Sequence, residues 1–183
     1  MATLIDAFSL KESVTGIELK INLLKNNKFD FCPNDADYSN WIPFEFCFKI
    51  GENESYIYPA EFGAQFSLED LKNLIEGAEN LFIAMENRGI EDWWDHKLKH
   101  KFFTSENYFG INFVDAYDGF VSVTIWIVMA SLPNNIYDNF KRGIQFTATT
   151  DDVKKFIVEL KNQLAYLIEN AECTRRGVYG CKC

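Results

Sequence analysis

The residues best suited to chemistry in this chain are its two histidines, His96 and His100. With Asp92 they follow one another at four-residue spacing, so a helix through them would put all three on one face. An Asp/His/His set of that kind is the ligand type of a catalytic metal site. The pattern is incomplete. Lys97 stands where a zinc-protease motif places its glutamate, and Lys99 and Lys101 add further positive charge. A surface turn with polar histidines is the competing reading. The neighbouring pair Trp93 and Trp94, with Tyr108, could stack on a sugar ring in the manner of a carbohydrate-binding module. An adjacent pair also commonly splits, one ring entering the core and the other its rim.

Other constellations lead no further. Asp115 with Asp118, or Glu91 with Asp92, could be written as acid and base. In a chain with 27 acidic residues, surface turns explain such pairs readily. No G-x-S-x-G, no phosphate loop and no G-x-G-x-x-G occurs, which leaves hydrolase, nucleotide and dinucleotide chemistry without a foothold. Cys181-Lys182-Cys183 supplies two thiolates without a second pair of ligands. The residues therefore imply no catalytic site, no metal and no cofactor. They point to a protein that works by binding.

Size and composition bound the fold. One domain over residues 1–172 suits a chain of 183 residues, with 173–183 expected to be a flexible tail. The 17 Phe, 8 Tyr and 4 Trp exclude a disordered chain and supply a large core. No apolar run reaches the roughly 20 residues of a membrane span. The first residues lack the basic start and apolar stretch of a signal peptide, so the expected location is cytoplasmic, with no membrane partner. Five cysteines cannot all pair within one chain, and reduced thiols are expected.

The charge is uneven. Residues 29–95 hold 15 acidic and three basic side chains, a net of −12, whereas the whole chain carries −9. Such a field repels nucleic acid and speeds encounter with a basic protein. The plainer alternative is that the acidity serves solubility.

Elements follow from periodicity. Ile17, Leu19, Ile21 and Leu23 alternate with polar residues, and Ile42, Phe44, Phe46, Phe48 and Ile50 do so more cleanly, predicting strands over 16–24 and 42–50. A return strand is predicted over 56–62, and three more over 108–115, 120–130 and 142–148, with Asp118-Gly119 as a tight turn. Ser67 is positioned to cap a helix carrying Leu71, Leu74, Ile75, Ala78, Leu81 and Phe82 on one stripe. Thr149 opens a second helix with Val153, Phe156, Ile157, Leu160 and Leu164.

Short strands joined by turns, with a helix closing each half, predict an α+β fold. It would be a mainly antiparallel sheet of about six strands, with two helices packed on one face. The opposite face would then carry Glu45, Glu61 and Trp126. Trp126 is the one large aromatic on a polar surface, which is how an interface anchor reads; packing beneath the 26–40 loop is the alternative. Glu45, Glu52, Glu54, Glu61 and Trp126 are accordingly the candidate partner-binding residues.

Two passages carry a family resemblance. Phe62-Gly63-Ala64-Gln65-Phe66-Ser67-Leu68-Glu69-Asp70-Leu71 leads into the first helix. Gly143-Ile144-Gln145-Phe146-Thr147-Ala148-Thr149-Thr150-Asp151-Asp152-Val153 runs from the last strand towards Phe156-Ile157-Val158-Glu159-Leu160. Over residues 41–167 the chain resembles the WapI-like immunity proteins of bacterial polymorphic toxin and contact-dependent inhibition systems. The resemblance implies a strand-rich domain that neutralises a cognate toxin, often a nuclease, by binding it. With the acidic charge, the expected partner is a basic toxin protein and not nucleic acid.

Overall fold

The computed structural model describes residues 1–7, 16–25, 41–88, 98–128 and 141–170. Nine strands and two α-helices lie within them. The first sheet is built from β1 (Ala2–Ile5), β2 (Ile17–Leu23), β3 (Trp41–Ile50) and β4 (Glu54–Tyr58), each antiparallel to the next. Pro59 and a short 3-10 turn over Ala60–Phe62 interrupt the return strand. Gly63, at φ +76°, then redirects the chain into β5 (Gln65–Ser67), which pairs with the start of β3. A proline cannot donate to the ladder and glycine adopts this backbone freely, so the predicted 56–62 strand stops at Tyr58 and β5 forms beyond its expected end.

The second sheet is an antiparallel meander of β6 (Lys99–Phe103), β7 (Phe109–Asp115), β8 (Phe120–Val128) and β9 (Lys141–Thr149). The α+β class is as expected. The strands number more than six because β1, β5 and β6 are three to five residues long. Runs that short, one of them reading Lys-His-Lys-Phe-Phe, hold too few alternations to register as a pattern.

The strands also divide between two sheets whose apolar faces meet. Phe46 of β3 lies 5.1 Å from Phe109 of β7, ring centre to ring centre, and Phe48 lies 6.4 Å from Phe146 of β9. Phe44 and Phe66 approach Phe109 at 5.9 and 5.7 Å. The Tyr58 hydroxyl donates to the Tyr108 carbonyl at 2.8 Å, so its polar end is paired where the ring is buried. Residues of both sheets and both helices join one hydrophobic cluster.

Helix α1 (Leu68–Glu86) is capped by Ser67, as expected, and Asp70 accepts the Ser67 N–H in return to complete a capping box. Asp70 is buried and also accepts from the backbone and hydroxyl of Ser105, tying the helix start to the β6–β7 turn. Helix α2 (Thr150–Glu169) is capped by Thr149. Its Glu159 and Gln163 accept the backbone N–H groups of Thr3 and Leu23 at 3.1 and 2.8 Å. These bonds occupy donors that an exposed strand would offer to other chains. No helix among the described residues is long and apolar enough to cross a membrane.

Candidate partner-binding surface

The structure distributes the five candidate binding residues over separate surfaces. Glu45 lies on the outward face of the first sheet, where its carboxylate accepts from Asn22 Nδ2 at 2.9 Å. Glu52 is exposed in the β3–β4 turn, and Glu61 is exposed on the 3-10 turn at the far end of β4. Glu54 is engaged at the sheet edge. It forms an ion pair with Arg142 of β9 and accepts from the Tyr56 hydroxyl. The Arg142 guanidinium lies over the Tyr56 ring, 5.6 Å from its centre. Burial, reinforced by the hydrogen bond to Glu54, pushes the Tyr56 phenol up to about 12.

Trp126 sits on the outward face of the second sheet, opposite in direction to Glu45. Its half-buried ring is laid against Gly143 of β9, where an added methyl group would come within 2.6 Å of it. Gly110 of β7 is likewise covered by Phe103 of β6, at 2.5 Å from such a methyl. The register puts Phe103, Gly110, Trp126 and Gly143 in one row across four strands. Two rings therefore lie on a floor of two glycines. This row was not legible from the sequence, because the pairing partner of a glycine is a tertiary fact.

Neighbouring rows of the same face run from Lys101 through Asn112 and Thr124 to Gln145, and from Lys99 through Val114 and Ser122 to Thr147. Lys141, paired opposite Val128 at the end of β9, holds its ammonium 4.8 Å from the Phe103 ring centre and donates to Asn107 Oδ1 at 3.1 Å. None of these rows contains a carboxylate. Glu106 lies outside them, in the β6–β7 turn.

Of the expected Asp/His/His face only His100 lies within the described residues, and it stands in a strand instead of a helix. His100 belongs to β6, with its ring 6.5 Å from that of Phe113 and pressed against Gly77 of α1. A methyl at Gly77 would meet the imidazole at 2.1 Å, so only glycine lets the helix approach this strand. Burial lowers the His100 pKa, and its Nε2 has no hydrogen-bond partner. Asp92, His96, Trp93 and Trp94 lie outside the described residues, as do the 26–40 loop, the 173–183 tail and every cysteine except Cys47. Cys47 is a free, half-buried thiol on β3. Among the described residues no group of three or more His, Cys, Asp or Glu could hold a metal ion.

One cleft of about 430 Å³ lies where the end of α1, the β7–β8 turn and the start of α2 meet, lined by Met85, Glu86, Arg88, Asp115, Tyr117 and Lys154 among others. Four of its charged side chains pair with one another, and Asp118 also lines it. Arg88 pairs with Asp115, and Lys154 with Glu86 at 2.6 Å. The expected Asp118-Gly119 turn extends to three consecutive left-handed residues, Tyr117, Asp118 and Gly119, at φ 67°, 50° and 81°. The Tyr117 N–H bonds the Asp115 carboxylate at 2.9 Å and the Gly119 carbonyl accepts from Thr150 N–H at 2.8 Å, which hold this costly backbone in place.

No match is found among curated proteins or among solved structures. The model of the immunity protein WapI-like family, in contrast, matches residues 9–167, which include α1, all but the last two residues of α2 and eight of the nine strands. The chain belongs to the WapI-like immunity protein family.

Proposed function

We propose that this chain protects the cell that makes it by binding a cognate toxin in the cytoplasm and covering the toxin's working surface. The family match over residues 9–167 carries the reading. The toxin envisaged is a basic nuclease. A net charge of −9 attracts such a protein at a distance and repels the nucleic acid it would cleave. Inhibition of this kind needs shape and charge complementarity and no chemistry of its own. The outward faces of a hydrogen-bonded double sheet offer a preformed surface for it, which limits the conformational entropy lost on binding.

Co-expression with the product of the adjacent upstream gene tests the proposal. The expected outcome is a stable complex that survives gel filtration, together with restored growth of cells producing the toxin. Failure of both would overturn it.

A further inference from the structure

Of the twelve cations among the described residues, five are paired with carboxylates and seven are not; Lys25, Lys49, Lys72 and Lys155 are scattered, and the other three share one sheet face. Lys20, Arg88, Arg142, Lys154 and Lys161 each stand within ion-pair distance of a carboxylate. Lys99, Lys101 and Lys141 have no acidic partner among the described residues, and the sheet face that carries them holds no carboxylate. In a chain of net charge −9, an outward face bearing three lysines and no acid is a local inversion of the overall field. The same face bears the two rings packed against glycines. Phe103 remains 40% exposed and Trp126 is half-buried.

We infer that the outward face of β6–β9 is the toxin-docking surface, with Trp126 and Phe103 as its apolar centre and Lys99, Lys101 and Lys141 as cationic contacts for a carboxylate-bearing patch of the toxin. The inference rests on the immunity reading proposed above. Aromatic anchors at the centre of a patch with charged groups around them are the usual anatomy of a binding hot spot. Glycine at positions 110 and 143 lets the two rings pack against the strand backbone, and the Lys141 ammonium lies over the Phe103 ring, which puts charge and apolar surface side by side. Lys99 and Lys101 project from alternate positions of one strand, about 7 Å apart, which suits carboxylates spaced along an extended segment.

A basic nuclease accommodates both kinds of charge. Its overall charge answers the net field of this chain, which acts at a distance. Its active site holds carboxylates if it uses divalent metal ions, and short-range contact selects for those. Nucleic acid is the less favoured occupant, because three lysines would have to hold a dense run of phosphates against the surrounding negative field.

The test uses full-length chain and the purified toxin, with dissociation constants measured by calorimetry at two salt concentrations. The variants are a triple charge reversal, Lys99→Glu with Lys101→Glu and Lys141→Glu, and Trp126→Ala alone. Each is checked for unchanged circular dichroism. The triple variant alters exposed side chains only and keeps the proposal testable if Trp126→Ala fails to fold. The expected results are a loss of about 100-fold for the triple variant, with a flatter salt dependence, and about 30-fold for Trp126→Ala.

Wild-type chain that binds toxin while the folded triple variant binds within about threefold of it would overturn this inference and leave the immunity reading standing. Wild-type chain that binds no toxin would remove both. A single-stranded oligonucleotide that binds the wild-type face, loses affinity in the triple variant and competes with toxin would replace the carboxylate patch by nucleic acid.

Discussion

Arg88, just beyond the end of α1, and Asp115, at the end of β7, form an ion pair in which the side chains are only 9% and 3% exposed. Asp115 does more than neutralise a cation. Its other carboxylate oxygen accepts the Tyr117 N–H, and its backbone N–H reaches the Leu98 carbonyl at 2.9 Å. The Arg88 guanidinium also lies over the Tyr117 ring, 5.0 Å from its centre. One residue thus ties the chain leaving α1 and the strained β7–β8 turn through its carboxylate, and the chain entering β6 through its backbone. Removing one member of a buried pair strands the other charge, whereas removing both leaves none. Asp115→Ala is therefore expected to lower the unfolding free energy by about 3–5 kcal/mol. Adding Arg88→Met should recover a substantial part of that loss. Urea denaturation of the two variants checks the difference, and equal instability would show that the turn and not the charge dominates.

Gly77 is the contact through which α1 meets β6. Its absent side chain is the space that the His100 ring occupies. Gly77→Ala would improve intrinsic helix propensity by about 1 kcal/mol at an exposed site. Here steric overlap with the imidazole should outweigh that gain and give net destabilisation of about 1–3 kcal/mol. Combining Gly77→Ala with His100→Ala should relieve part of the overlap. The thermal midpoints of the single and double variants read this coupling.

The same imidazole makes stability depend on pH. Burial lowers the His100 pKa below its ordinary value of 6.5, so the folded chain holds the neutral ring more strongly than the unfolded chain does. Above pH 6.5 both states are neutral and the group has no effect. As pH falls below that value the unfolded chain takes up the proton first, and stability declines until the folded pKa is passed. Urea midpoints between pH 7.5 and 5 should fall for the wild type, and His100→Gln should remove this part of the slope. A slope unchanged in the variant would assign it to other groups.

The acidic residues can now be separated into useful and confounded probes. Glu54 holds Arg142, so reversing its charge disrupts the β4–β9 edge as well as the surface field. Glu45 is bonded to Asn22 on the outward face of the first sheet. Glu52 and Glu61 are exposed. Glu52→Lys with Glu61→Lys is expected to slow toxin association several-fold at low salt while leaving dissociation nearly unchanged, because these charges act on the approach and not in the contact. Stopped-flow association rates at several ionic strengths measure this, and an unchanged rate would reduce the acidity to a solubility device.

The sequence by itself determined the local facts. Alternation in Phe44, Phe46 and Phe48 identified the core face of β3, and the Ser67 and Thr149 caps located both helix starts, because periodicity and capping depend on a few consecutive residues. The resemblance at Phe62–Leu71 and Gly143–Val153 pointed to the family that the match over 9–167 establishes. Tertiary structure decided which strands are neighbours. Alternation states which side chains share a face and is silent on which strand pairs with which, so the division into two sheets, the glycine floor under Phe103 and Trp126, and the removal of His100 from a helix into β6 could not be read in advance. The Arg88–Asp115 pair was hidden for the same reason: 27 residues separate its members, and only the packing of α1 against the end of β7 brings them together.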